Sequence, residues 1–400
     1  MVCFDSTKTL RKRYCLEADM DFPEASDRPL RRCAGRLELR HFSSSADMSR
    51  TSVVSVASAK SSIFNLPLHN PPALVSPQWL MEALFTNQQE KDQSMKESQP
   101  HSVFLLDATW EATSTTSAYE QHYKRGHIPG ALFLDLEALC QKQPNSHMCC
   151  PIPDPGKFER FVNNLGVSKD SHVVTYDSLD GRSAARVWYL FRLFGHEQVS
   201  VLDGGLRQWL QEGHQICTTD KDGTCRLPQE DQSLNTSQST QKFKAKLQPN
   251  MLIGFTELKS IVEKEDAQII DCRSELSSSE KPSTAYCSNA TAMTSCASSH
   301  EVPSQGQIKG AIHIPFVNLF TPDGKFKLEE ELLQVFEKAG VDLSVPAVVY
   351  SQRGMSACTV ALAASICGIP TVPVYNGSWT EWEAMAPSCL IVKGKKTDQI

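Results

Sequence analysis

The residues best placed to do chemistry lie in "AVVYSQRGMSACTVALAASICGIP", residues 347–370. An apolar run ends at Tyr350, a loop of small bulk runs from Ser351 to Ser356, and a helix of small residues follows. A strand feeding a tight loop onto a helix N-terminus aims several backbone N–H groups at one point, and the helix dipole adds positive character there. Such a loop holds an anion. With cysteine as its first residue it would also favour a thiolate and cradle a persulfide, which is sulfur-transfer chemistry. Here the first residue is Ser351, whose hydroxyl cannot store sulfur in that way. Serine acts as a nucleophile in acyl transfer beside a base such as histidine, and no histidine is near this loop in the sequence. Arg353 brings a cation to the loop: it either strengthens an anion site with Gly354, Met355 and Ser356 or simply faces solvent.

Other thiols compete for the missing role. The chain has 14 cysteines among 400 residues, none spaced as CxxC, so no zinc site is expected. Cys358 lies two helical turns beyond Ser351 and reads as a small core residue. Cys272, beside Arg273 at the end of "AQIIDCR" (267–273), is the better surrogate, or it points into a sheet. Cys287 and Cys296 fall in a polar stretch that nothing ties to the loop, and the adjacent Cys149 and Cys150 have no evident purpose. His127, in "GHIPGALFLDL" (126–136), orients its turn or moves a proton. Asp107 and Asp271 end apolar runs and should bond to turn backbone, and Asp203-Gly204-Gly205 and Asn376-Gly377 read as turns.

The elements that must position these residues come in duplicate. "VFLLDAT" (103–109) matches "AQIIDCR", "GHIPGALFLDL" matches "GQIKGAIHIPF" (306–316), and "VSVLDGGLRQWL" (199–210) matches "VPVYNGSWTEW" (372–382). "HVVTYDSLDGRSAARVWYLFRLFGH" (172–196) matches the stretch quoted above, with Asp177 opposite Ser351. Four segments kept in order at a period of about 170 residues indicate two copies of one domain. Short apolar strands alternate with helical stretches, which predicts an α/β fold with a mostly parallel sheet flanked by helices in each copy. The expected organisation is a leader over 1–65, a first domain over 66–215, a polar linker over 216–248 and a second domain over 249–395. That second domain carries the loop 351–356 and a mobile serine-rich insertion over 274–305.

Composition narrows the function. A net charge of −6 gives no general attraction to nucleic acid or anionic membrane. No apolar run approaches the roughly 18–20 residues that span a bilayer, so a soluble protein is expected. The leader turns arginine- and serine-rich in its second half, and "RHFSSS" resembles a matrix-processing site. Its acidic start fits a presequence less well. Mitochondrial targeting is therefore the expectation, with the cytoplasm as the alternative and Met48 as an alternative start.

Together these motifs resemble the tandem rhodanese family, the thiosulfate and 3-mercaptopyruvate sulfurtransferases, over about residues 70–390. The resemblance implies two rhodanese-like domains, the first a non-catalytic copy, and no cofactor or metal. It also implies transfer of sulfane sulfur, through a cysteine persulfide at the position of Ser351, to cyanide or to a thiol acceptor of the thioredoxin type. In the mercaptopyruvate enzymes a serine two residues after that cysteine joins a proton relay; Arg353 stands there. The relay histidine matches His127, but "TSTTSA" (113–118) holds no carboxylate for the relay aspartate. Of the two arginines that clamp the substrate carboxylate, Arg273 fits one and Ser277 stands near the other. Nucleophile, relay and clamp are thus altered together. The expectation is a weak or inactive sulfurtransferase that binds an anion or a partner; the alternative is an active enzyme using a relocated thiol such as Cys272. The oligomeric state is left open.

Overall fold

A computed structural model of the chain describes residues 71–89, 103–111, 116–140, 150–219, 225–226, 242–274 and 306–393. The leader, nearly all of the insertion with Cys287, Cys296 and Ser277, and Cys149 lie outside the described residues. Two five-stranded sheets carry the structure, and every strand pair in them is parallel. The first is built from β1 (Leu74–Val75), β2 (Val103–Asp107), β3 (Leu132–Phe133), β4 (His172–Tyr176) and β5 (Val199–Leu202), in the order β1-β5-β4-β2-β3. The second is built from β6 (Leu252–Ile253), β7 (Gln268–Asp271), β8 (Ala311–His313), β9 (Ala347–Tyr350) and β10 (Val374–Tyr375). Its order, β8-β7-β9-β10-β6, is the same topology strand for strand.

The equivalence extends to register. Asp107 pairs with Tyr176 in the first sheet, and Asp271 pairs with Tyr350 in the second. Central strands "HVVTY" and "AVVY" are buried at every position, as expected for parallel strands covered on both faces. A helix leaves each of them: α1 (Arg182–Leu193) after β4 and α2 (Met355–Ile366) after β9. Both start behind a left-handed glycine, Gly181 at φ 79° and Gly354 at φ 86°. A side chain would strain that backbone, which is why a glycine ends each loop.

These two helices pack on each other, and one hydrophobic core draws residues from both domains. Every residue of α2 from Met355 to Ala364 is buried. A helix apolar on all sides belongs inside a core. Its alanines share this core with Ala184 and Ala185 of α1. The loop before α2 is thereby backed by the first domain.

The stretch expected as a linker over 216–248 is polar in composition, and its described ends pack on the first domain. Cys217 is buried and exchanges backbone hydrogen bonds with His127. Residues 242–248 form a strap: Phe243 is 2% exposed, packs edge-on against Phe158, and its backbone is gripped on both sides by the Asn163 amide. Truncating such a side chain leaves a cavity, so Phe243→Ala should cost about 3 kcal/mol, read as a lower urea midpoint at unchanged slope. A flexible linker would show no change.

Candidate functional site

Ser351 follows β9 and is 2% exposed. Its Oγ accepts the Gly354 N–H at 2.9 Å, which folds the loop into the start of α2. Its own N–H donates to Ser378 Oγ at 3.3 Å, and its carbonyl accepts the Trp379 N–H at 2.9 Å. Ser378 has φ 54°, a left-handed conformation unusual outside glycine. The repeat explains it: Gly205 holds φ 56° at the matching place in the first domain. Holding Ser378 there costs of order 1 kcal/mol and sets its hydroxyl between Ser351 N and the Tyr375 carbonyl.

The first domain shows what such a loop does with an anion. Asp177 occupies the position of Ser351, after β4. Its carboxylate accepts the N–H groups of Leu179, Gly181 and Ala184 and the hydroxyl of Ser183, all at 2.9–3.0 Å. The cradle is filled by the chain's own side chain. Aligned on the left-handed glycines, Gly181, Ser183 and Ala184 correspond to Gly354, Ser356 and Ala357, although the second loop is one residue shorter. Ser351 takes only the Gly354 N–H; Ser356 Oγ, 7% exposed, has no partner among the described residues. The first N–H groups of α2 have no carbonyl within their own helix to satisfy them. Arg353 is half-buried on the same loop and forms no ion pair among the described residues. The arrangement can accept a small anion from outside; among the described residues it presents no exposed thiol.

Beneath the loop lies a contact that the local sequence hides. Asn376, read as a turn residue, is buried and accepts from Nη2 of Arg186, on α1, at 2.8 Å. Both side chains also donate to the Cys150 carbonyl, at 3.0 and 3.2 Å. Only the three-dimensional pairing of α1 with α2 brings Arg186 here, and nothing in the spacing announced it.

The other expected site residues fall elsewhere. Arg273 is 7% exposed and committed to Asp271, whose two oxygens accept its Nε at 2.9 and 3.1 Å. Its Nη2 reaches Asp271 and the Gly306 carbonyl, and its guanidinium lies over the Trp379 ring at 4.7 Å. Met355 is buried in the core. His127 is buried, stacked on Tyr123, and its Nδ1 donates to the Tyr123 carbonyl at 2.9 Å. Burial pushes its pKa below the ordinary value, so it is neutral at physiological pH. Among the described residues no hydrogen bond joins it to residues 351–356. Cys272 is fully buried in the core, its Sγ on the Ile270 carbonyl at 3.6 Å, and burial pushes its thiol well up. A thiol so placed is inert rather than nucleophilic. Cys358 is likewise fully buried, as expected of a core residue. Asp107 and Asp271 do bond turn backbone, at the N–H groups of Thr109 and Arg273.

Comparison with known proteins agrees with the repeat. The rhodanese-like domain family matches twice, over residues 87–212 and 255–385. The chain belongs to the rhodanese family. It is 35% identical to rat thiosulfate sulfurtransferase over 320 residues, covering 79% of this chain and 93% of that protein. It is 33% identical to human 3-mercaptopyruvate sulfurtransferase over 330 residues, covering 81% and 96%. Among solved structures it resembles SseA from Escherichia coli, described as a 3-mercaptopyruvate sulfotransferase, with a TM-score of 0.56 and 27% identity. That match covers 77% of this chain and 99% of SseA. The rhodanese fold therefore accounts for both sheets, for the paired helices and for the loop that each copy carries.

Proposed function

We propose that this rhodanese-family chain binds a small sulfur-containing anion in the loop 351–356 and is a weak or inactive sulfurtransferase, a pseudoenzyme of its family. One observation carries the reading: in the first domain the equivalent cradle already holds an anion, the Asp177 carboxylate, whereas Ser351 leaves the second cradle short of one. Thiosulfate and sulfite have the oxygen acceptors that the Ser356 hydroxyl and the amides of the α2 start would meet, and Arg353 adds charge at the rim. Without a thiol at position 351 no persulfide forms there, so the bound anion is held, not converted. The family's acceptor, a thioredoxin-type thiol, would then be a partner by surface alone. Arg273, held by Asp271, and neutral His127 support neither clamp nor relay.

Isothermal titration with thiosulfate and with sulfite tests the binding. Wild type should bind in the micromolar to millimolar range, Arg353→Gln should weaken it roughly five- to tenfold, and Ser351→Asp should abolish it by supplying an internal carboxylate. Failure of wild type to bind either anion at 10-millimolar concentrations (about the limit set by Kd arithmetic) would refute the binding reading. Turnover of thiosulfate or mercaptopyruvate by the wild type at the rate of its Ser351→Cys variant would refute the loss of activity.

A further inference from the structure

We infer that Arg186, a residue of the first domain, supplies a fixed positive charge beneath the second domain's loop and so sets how strongly that loop holds an anion. The inference deepens the anion-cradle reading and rests on it. Arg186 is completely buried. Its Nη2 donates to the Cys150 carbonyl and to Asn376 Oδ1, and its Nη1 lies 3.6 Å from Cys358 Sγ. Its Nε has no hydrogen-bond partner among the described residues. A Cβ placed on Gly354 would stand 3.0 Å from Asn376 Oδ1 and 3.6 Å from Arg186 Nη1, so the guanidinium lies directly under the glycine that starts α2.

No carboxylate pairs with this guanidinium among the described residues. A guanidinium cannot shed its proton, and buried charges are ordinarily paired. Among the described residues the titratable groups that face it are the thiols of Cys140, Cys150 and Cys358 and the phenol of Tyr189. Burial raises the Cys358, Cys140 and Tyr189 groups, which keeps them neutral near pH 7. Among the described residues the charge is thus left without a counter-ion, and the loop of Gly354 lies directly above it. Its field adds to that of the α2 N-terminus through a low-dielectric interior, where a charge acts far more strongly than in water. Arg186 touches no anion in the loop. It is a positioning residue, and through it the first domain contributes to the site of the second.

The test keeps Arg186 in place and cancels its charge. Asn376→Asp is isosteric, retains the acceptor at 2.8 Å and provides the missing carboxylate, at the loss of the donor to the Cys150 carbonyl. In a Ser351→Cys background, the pKa of the introduced thiol is read by peptide-resolved alkylation against pH. Adding Asn376→Asp should raise that pKa by about one pH unit, a tenfold loss of thiolate near neutrality. The added carboxylate raises the thiol pKa by itself, so the decision rests on Arg186→Met, where a purely structural role predicts no rise. Arg186→Met should raise it similarly and Arg186→Lys should largely restore it, which decides the matter whether or not the aspartate variant folds. An unchanged thiol pKa in the folded variants would overturn the inference. This readout does not depend on whether the wild type binds thiosulfate, so it separates a wrong role for Arg186 from a wrong reading of the loop. If the wild type does bind thiosulfate, Asn376→Asp alone should weaken it about tenfold.

Discussion

Ser351→Cys is expected to raise thiosulfate:cyanide sulfurtransferase turnover at least about 100-fold above the wild-type chain. The argument is one of atoms. A thiolate at position 351 can attack the outer sulfur of thiosulfate, breaking its S–S bond and expelling sulfite, and the resulting persulfide can pass that sulfur to cyanide as thiocyanate. A hydroxyl has neither the anion nor the sulfur to do either step. The cradle is otherwise in place: Gly354 already directs its N–H at the position 351 side chain, and α2 starts immediately behind it. These groups and Arg353 favour an anion, so the introduced thiol should titrate below the ordinary value of about 8.5, and activity should rise with pH through that lowered value. Mass spectrometry after thiosulfate treatment should place one added sulfur on the peptide containing residue 351 and none on the Cys272 peptide. The gain on 3-mercaptopyruvate should be smaller, because its carboxylate calls for a free guanidinium fork and Arg273 is held by Asp271. A variant as inactive as the wild type, with an unmodified residue 351, would mean that the cradle itself is no longer competent.

What the sequence made legible follows from what repeats. The two copies were visible because strand, loop and helix recur in order, and the structure reproduces them down to the pairing of Asp107 with Tyr176 and of Asp271 with Tyr350. The loop was visible because small residues after an apolar run have few other uses. Long-range pairings were not legible. Asn376 has the chemistry of a turn residue, and its bond to Arg186, 190 positions away, depends on how α1 and α2 pack. The 242–248 strap hides in a polar stretch because one phenylalanine, the distant Asn163 amide and Glu159 carboxylate, and backbone bonds to Leu193 and Phe194 hold it. The meaning of Asp177 needed coordinates too: as a residue it is merely not a thiol, whereas its four bonds show an anion cradle already occupied.

The Arg273–Asp271 pair provides the larger stability test, and it decides what Arg273 is for. If Arg273 serves only to receive a substrate, its removal should leave folding nearly untouched. The packing argues otherwise. Asp271 is fully buried at the end of β7, and its carboxylate accepts from Arg273 Nε and Nη2, from the Arg273 backbone and from the Tyr350 hydroxyl at 2.7 Å. The guanidinium is itself wedged over Trp379, the residue whose N–H holds the Ser351 carbonyl. Arg273→Ala therefore strands a buried carboxylate and undercuts the floor of the loop. Breaking one partner of a buried pair costs roughly 3–5 kcal/mol, whereas replacing both by apolar groups of similar volume costs far less. Arg273→Ala should accordingly lower the urea midpoint sharply, and Arg273→Met combined with Asp271→Leu should recover much of the loss. Equal stability of wild type and Arg273→Ala, together with weaker thiosulfate binding, would instead make Arg273 a free substrate group, and the pairing with Asp271 a resting position that the ligand displaces.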